Sequence, residues 1–256
     1  MVDDYVEALC QEMELRKDYL KEPLTTIYLG GGTPSQLSVR HLEQLFSAVR
    51  STLPMPENGF GEMEITLECN PDDVTEEYAR QLGHLPVNRV SMGAQTFSDE
   101  RLRFLHRRHT AGEVALAVER LRKNGIRNIS VDLMFGFPNE TIAEWQTDID
   151  YILQLGIEHI SAYSLMYEEG TPLYRLLEKG EVKETDEELY RQMYDLLIDR
   201  LAVAGFEQYE ISNFARLTQQ GKPSAFRSRH NSSYWHNVPY MGVGASAHSY
   251  NIHSRQ

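Results

Sequence analysis

Cysteine is almost absent, with only Cys10 and Cys69 in 256 residues. Two thiols exclude a disulfide scaffold and suit a reducing cytoplasm. They also cannot supply a cysteine-only metal or iron–sulfur centre. Positive charge is the second deficit. Lys and Arg total 25 against 38 Asp and Glu, a net charge of −13, which argues against a nucleic-acid backbone or an anionic membrane surface as the main partner. Long apolar runs are missing too. None approaches the ~20 residues of a membrane helix, and no signal-peptide pattern follows Met1. There is no repeat at a period of 20–50 residues, no low-complexity tract and no clear linker. What remains is 41% hydrophobic and 25% charged, enough for a large buried core in one large α/β domain or two small ones.

Short apolar runs alternate with amphipathic segments. Val6, Leu9, Cys10 and Met13 share one helical face. The strand Thr26–Leu29 runs into three glycines. Leu42, Leu45, Phe46 and Val49 mark the next helix, with Ser38 as its N-cap. A strand from Met63 to Glu68 closes on Asn70-Pro71, and a short helix follows near Glu76. Arg89 to Met92 reads as a strand. Val114, Ala117, Val118 and Leu121 form a helix stopped by Gly125. Ile129 to Met134 and Ile157 to Ser164 are strands separated by a helix through Ile142, Trp145, Ile149 and Ile152. A long helix through Leu189, Met193, Leu196, Leu197 and Leu201 reaches Gly205. This order predicts a parallel sheet, rolled as a full or partial barrel or left open. Beyond Gly205 the alternation fades, and Thr218 to Arg229 reads as an exposed loop.

Parallel α/β folds carry their sites at the carboxyl ends of strands. Those ends are Gly30-Gly-Gly-Thr-Pro34, Glu68-Cys-Asn-Pro71, Gly93-Ala-Gln95 and Asp132-Leu-Met-Phe-Gly-Phe-Pro138. By period-2 parity Glu64, Thr66 and Glu68 oppose Met63, Ile65 and Leu67, while Ser130 and Asp132 oppose Val131 and Leu133. The polar sets indicate a polar-lined mouth; solvated strand ends would give the same pattern. The glycine run is not a dinucleotide fingerprint, because Ser35 stands where the third glycine belongs, and no lysine makes it a phosphate loop. It does let backbone approach a ligand closely, or simply form a tight turn.

Together with Ser91-Met-Gly-Ala-Gln-Thr-Phe97 and Tyr163-Ser-Leu165, these segments resemble the radical S-adenosylmethionine proteins of the oxygen-independent coproporphyrinogen III oxidase group. Tyr167-Glu-Glu-Gly-Thr-Pro-Leu173 and His230-Asn-Ser-Ser-Tyr-Trp235 resemble its HemW branch of haem chaperones. The resemblance covers nearly the whole chain, in order. It implies an α/β fold, a partial (β/α)6 barrel of the TIM type, with residues 1–205 as the barrel core and 206–256 as an extension carrying the His-Asn-x-x-Tyr-Trp motif. It further implies that Gly31, Gly32 and Thr33 meet the amino and carboxylate groups of S-adenosylmethionine. Glu68, Gln95, Arg107 and Asp132 match further cofactor contacts, and the backbone at Met166 would border the adenine. Arg107 also fits an ordinary basic helix end. His230, Asn231 and Tyr234 match positions associated with haem: His230 as iron ligand, Asn231 orienting it, Tyr234 and Trp235 packing on the porphyrin. His106 and His109, three apart, mimic a metal pair without a third ligand.

The same resemblance implies a [4Fe–4S] cluster on Cys-x3-Cys-x2-Cys in full-length family members. That motif is not in this sequence, and neither Cys10 nor Cys69 matches a cluster position. The expectation is a chain without the first barrel strand, the cluster loop and the carboxyl-terminal domain, unable as written to reduce S-adenosylmethionine. Haem is the expected ligand, with haem-accepting proteins as possible partners, no nucleic acid and a cytoplasmic location. The alternative, for the full-length parent, is radical dehydrogenation of coproporphyrinogen III. An inert remnant is a third reading.

Overall fold

In the computed structural model, residues 1–252 are described. Among the described residues nine α-helices run Val2–Leu15 (α1), Val39–Thr52 (α2), Glu76–Leu82 (α3), Asp99–Phe104 (α4), Ala111–Lys123 (α5), Ile142–Gln154 (α6), Pro172–Glu178 (α7), Glu187–Val203 (α8) and Arg229–Trp235 (α9). The strands are Thr26–Leu29 (β1), Glu64–Cys69 (β2), Arg89–Gln95 (β3), Asn128–Phe135 (β4), His159–Ser164 (β5), Phe206–Gln208 (β6) and Asn213–Arg216 (β7). They form one sheet in the order β1-β2-β3-β4-β5-β7-β6, with β1 to β5 parallel and β6 and β7 antiparallel.

Parity divides the sheet. Ile65, Leu67, Val90, Met92, Ile129, Val131, Leu133 and Ile160 are fully buried and share one core with Leu42, Leu121, Trp145 and Leu197 of the covering helices. Burying such side chains contributes roughly 1.5–3 kcal/mol each. Helix α1 packs on α2 through Val6, Met13, Leu45 and Val49, a second apolar cluster that also takes in Leu9 and Cys10. Trp145 anchors α6 to α8 by donating its indole N–H to the Met193 carbonyl at 2.9 Å. Ser38 caps α2, accepting from the His41 amide, and Gly125 follows α5 at φ +90°, a left-handed position glycine fills without strain.

The opposite faces of the same strands are polar and still enclosed. Glu64, Thr66, Arg89, Ser91, Ser130, His159 and Ser161 are all buried. The chain after β6 encloses part of them: Tyr209, between β6 and β7, bonds His159 on β5, and residues 228–230 bond Glu64 on β2. The result is half a barrel with an apolar outside and a polar inside.

Several local expectations need correction. Beyond Gly205 the chain forms β6 and β7, not merely a fading alternation. The stretch from Thr218 to Arg229 is not wholly exposed, because Ser224 and Ser228 are buried. Ser224 donates its hydroxyl to the Arg216 carbonyl, and Arg227 pairs with Glu207 at 2.8 Å. Arg107 is not on a helix end; α4 stops at Phe104.

Candidate functional site

Six of the residues assigned to a cofactor converge. Gly32, Thr33, Glu68, Gln95, Arg107 and Asp132 line one cleft of about 200 Å³ at the carboxyl ends of β1 to β4, together with Asn70 and Ser91. Gly31 adjoins it, donating its amide to Glu68 Oε2 at 3.1 Å. The local sequence explains the shape. Gly31 and Gly32 have φ of +73° and +66°, and a Cβ on either would meet nothing within 4 Å, so their backbone lies open on the ligand side. A bulge interrupts the β3–β4 register between Gly93 and Gln95. Gln95 itself sits at φ +69°, a left-handed conformation uncommon for glutamine and one that clusters at ligand sites. Arg107 reaches in to donate to Asn70 Oδ1 at 2.8 Å and to the Gly93 carbonyl at 2.9 Å.

The cleft suits the polar part of an amino-acid ligand. Asp132 accepts from Ser91 at 3.3 Å, and burial pushes its carboxyl up to about 6, opposed by a Ser161 hydrogen bond and the Arg89 charge. Two acidic side chains, Glu68 and Asp132, thus face an arginine and open amides, a set matching an ammonium, a carboxylate and ribose hydroxyls. Sites for whole drug-sized ligands measure about 300–1,000 Å³, so this cleft holds part of one. Met166 lies past β5, 67% exposed, outside the cleft.

His230 sits elsewhere, over β1. Its ring stacks on Tyr28 with centroids 4.8 Å apart and planes 23° from parallel. Nδ1 lies 3.0 Å from Thr26 Oγ1 and Nε2 lies 2.9 Å from the Tyr234 hydroxyl. Burial pushes its pKa down to about 4, with Glu64 opposing and Arg89 reinforcing the shift, so the imidazole is neutral at pH 7. The ring's partners are Thr26, Tyr28 and Tyr234, and the neighbouring Asn231 donates its backbone amide to Ser228 Oγ at 3.2 Å. Tyr234 and Trp235 are 47% and 62% exposed, leaving aromatic surface beside the ring.

Thr26, Tyr28 and Arg89 were not singled out in the sequence, and Glu64 was placed only on the polar face of its strand. Period-2 parity in β1 sets Thr26 and Tyr28 apart from Ile27 and Leu29, a signal that was available. Tyr28 joins the two regions, donating its hydroxyl to Glu68 Oε1 at 2.7 Å while stacking on His230. Glu64 accepts from the amides of Arg229 and His230 at 2.9 and 3.0 Å.

His106 and His109 do not pair as ligands. His109 is buried, its Nε2 3.1 Å from the Ala94 carbonyl, and His106 is a turn residue at φ +54°. Cys10 is half-buried on α1 and Cys69 buried at the end of β2, both unpaired. Burial pushes the Cys69 thiol well up. No cluster of three or more His, Cys, Asp or Glu among the described residues is placed to hold a metal. These residues do not fit a four-iron cluster.

A half-barrel with a glycine turn and carboxylates gathered at its strand ends defines a class, and residues 4–152 match it as the Radical SAM superfamily. The chain belongs to that superfamily. It is similar to the "Heme chaperone HemW" of Bacillus subtilis (strain 168), 39% identical over 97% of this chain and 63% of that protein. It is also similar to the protein of the same name from Lactococcus lactis, 37% identical over 97% and 62%. The chain thus spans a little over three fifths of these curated relatives. Among solved structures, the Radical SAM enzyme coproporphyrinogen III oxidase (HemN) from Escherichia coli aligns with a TM-score of 0.77 at 20% identity, covering 97% of this chain and 57% of that one. That likeness shows the fold. No helix among the described residues is long and apolar enough to cross a membrane.

Proposed function

We propose that this chain is the barrel portion of a haem-binding chaperone, taking haem at His230 and S-adenosylmethionine at the strand-end cleft. The observation that carries the haem assignment is the His230 site itself. A neutral imidazole is fixed on Tyr28 beside the exposed rings of Tyr234 and Trp235, in a chain similar to proteins named haem chaperones. Neutral imidazole is the form that ligates iron, and exposed aromatic rings offer a porphyrin apolar contact. Haem is cargo on this reading, passed to haem-accepting proteins in a reducing cytoplasm where both thiols stay free.

S-adenosylmethionine would be held by Gly31, Gly32, Thr33, Glu68, Gln95, Arg107 and Asp132. Glu68 takes its ammonium, Arg107 its carboxylate and Asp132 a ribose hydroxyl, with Met166 near the adenine. In radical enzymes the bound cofactor supplies a deoxyadenosyl radical. No such step is assigned here, because the cluster that starts it does not fit the two cysteines. Coproporphyrinogen oxidation stays the alternative for a longer protein, supported by fold alone.

Haem titration tests the assignment. Wild type should show a shifted Soret band and His230→Ala should lose most of it. His236→Ala should behave as wild type, since His236 is exposed and its Nδ1 bonds the Ser232 carbonyl in α9, at 2.8 Å. Both ring nitrogens of His230 must exchange or keep bonds already made, so the dissociation constant should lie near micromolar or weaker, about 8 kcal/mol or less. Equal spectra from wild type and His230→Ala would remove the haem assignment.

A further inference from the structure

His230 is held at its amide, at both ring nitrogens and on one ring face. Its amide is pinned by Glu64 Oε1 at 3.0 Å, its ring is stacked on Tyr28, and each ring nitrogen faces a hydroxyl. A neutral imidazole carries a single N–H, so one hydroxyl must donate to the ring and the other must accept from it. The two hydroxyls are chemically unequal. A phenol, with a pKa near 10, is far more acidic than an aliphatic alcohol and is the stronger donor and weaker acceptor. Tyr234 therefore donates to the Nε2 lone pair, and Nδ1–H donates to Thr26 Oγ1. This is the tautomer found in metal-ligating histidines, where one nitrogen donates to a fixed oxygen and the other offers its lone pair.

The two partners also differ in freedom. Thr26 is part of β1, paired in register with Glu64. Tyr234 is near the end of the seven-residue helix α9, half exposed, its ring edge-on to Tyr240 at 5.0 Å. Only the Nε2 side can open without moving the sheet.

On the reading that His230 binds haem, we infer that Thr26 selects Nε2 as the iron-accepting atom and that Tyr234 covers it until an iron porphyrin arrives. Loading breaks the Tyr234 O–H···Nε2 bond and turns the hydroxyl to solvent. The Nε2 lone pair then forms the Fe–N bond as a water leaves ferric iron. The Nδ1 proton stays on Thr26's side, and nothing is oxidised or reduced.

Nitrogen-15 NMR of the haem-free protein, with stopped-flow mixing against ferric protoporphyrin IX, tests the device. The proton should reside on Nδ1 of His230. Tyr234→Phe should load about fivefold faster, the equivalent of one hydrogen bond of about 1 kcal/mol. Thr26→Val should lower affinity by about tenfold or more and alter the haem spectrum, and Thr26→Ser should restore both. A proton on Nε2, or slower loading by Tyr234→Phe, overturns the inference while leaving haem binding intact. Binding by His230→Ala equal to wild type overturns the haem reading itself, and the inference with it.

Discussion

At the strand ends, Gly31 and Gly32 leave backbone exposed and Glu68, Gln95, Arg107 and Asp132 face an open cleft of about 200 Å³. Over β1, by contrast, both ring nitrogens of His230 already face hydroxyls, of Thr26 and Tyr234, while one ring face stacks on Tyr28 and Glu64 holds the backbone amide. An open site accepts its ligand with little rearrangement. A closed one must exchange internal bonds for ligand bonds, which weakens net affinity and makes loading rate depend on the residue that moves. The two regions are not independent, because Tyr28 bonds Glu68 and stacks on His230.

Gly30 is the position where the contrast should break most severely. A Cβ there would stand 2.4 Å from Tyr28 Cε1 and 2.8 Å from Glu68 Oε1. Gly30→Ala should destabilise the fold by about 2–3 kcal/mol and disturb both regions through the shared tyrosine, as thermal unfolding and the NMR signals of His230 would show. An effect confined to the strand ends would mean that Tyr28 couples nothing.

Asp132 gives a smaller, pH-dependent effect. Its carboxyl sits at about 6 in the folded chain against an ordinary 3.8, so between those values the unfolded chain ionises first. Folded-state stability contributed by the bound proton is present below about pH 4 and is lost as pH rises through 6. Asp132→Asn should therefore gain on wild type by about 1–2 kcal/mol between pH 4.5 and 7.5, measured by denaturant unfolding. A difference independent of pH would contradict the buried-carboxyl account. Gly93→Ala should be milder still. Its Cβ would press on the ends of two flexible side chains, Gln95 Nε2 at 2.8 Å and Arg107 Nη2 at 3.1 Å. Stability should change by about 1 kcal/mol or less, with the His230 region untouched.

The parts legible in sequence were those fixed by periodicity. Five parallel strands, the long helices, the Ser38 cap and the strand-end residues all follow from local periodicity or from the turn chemistry beside them. The elements missed are short. Strands β6 and β7 have three and four residues, and α4, α7 and α9 have six or seven, too few to show a period. Parity put Glu64 on the polar face of β2 but could not separate a lined mouth from a solvated face, and Arg89 at the start of β3 resembles a solvent-facing charge until curling of the sheet turns it inward. Arg89 is 1% exposed, and its Nε has no hydrogen-bond partner. The environment of His230 was out of reach for a different reason. Thr26 and Tyr28 lie about 200 positions away, and no local pattern ties them to a histidine near the end of the chain.

The separation of the two regions is tested most directly by a proton–nitrogen correlation titration of the haem-free protein with S-adenosylmethionine, which detects weak binding residue by residue. The account predicts saturable shifts at the amides of Gly31, Gly32, Thr33 and Gln95, abolished in Glu68→Gln and retained in His230→Ala. Shifts centred on α9, or retained in full by Glu68→Gln, would contradict it.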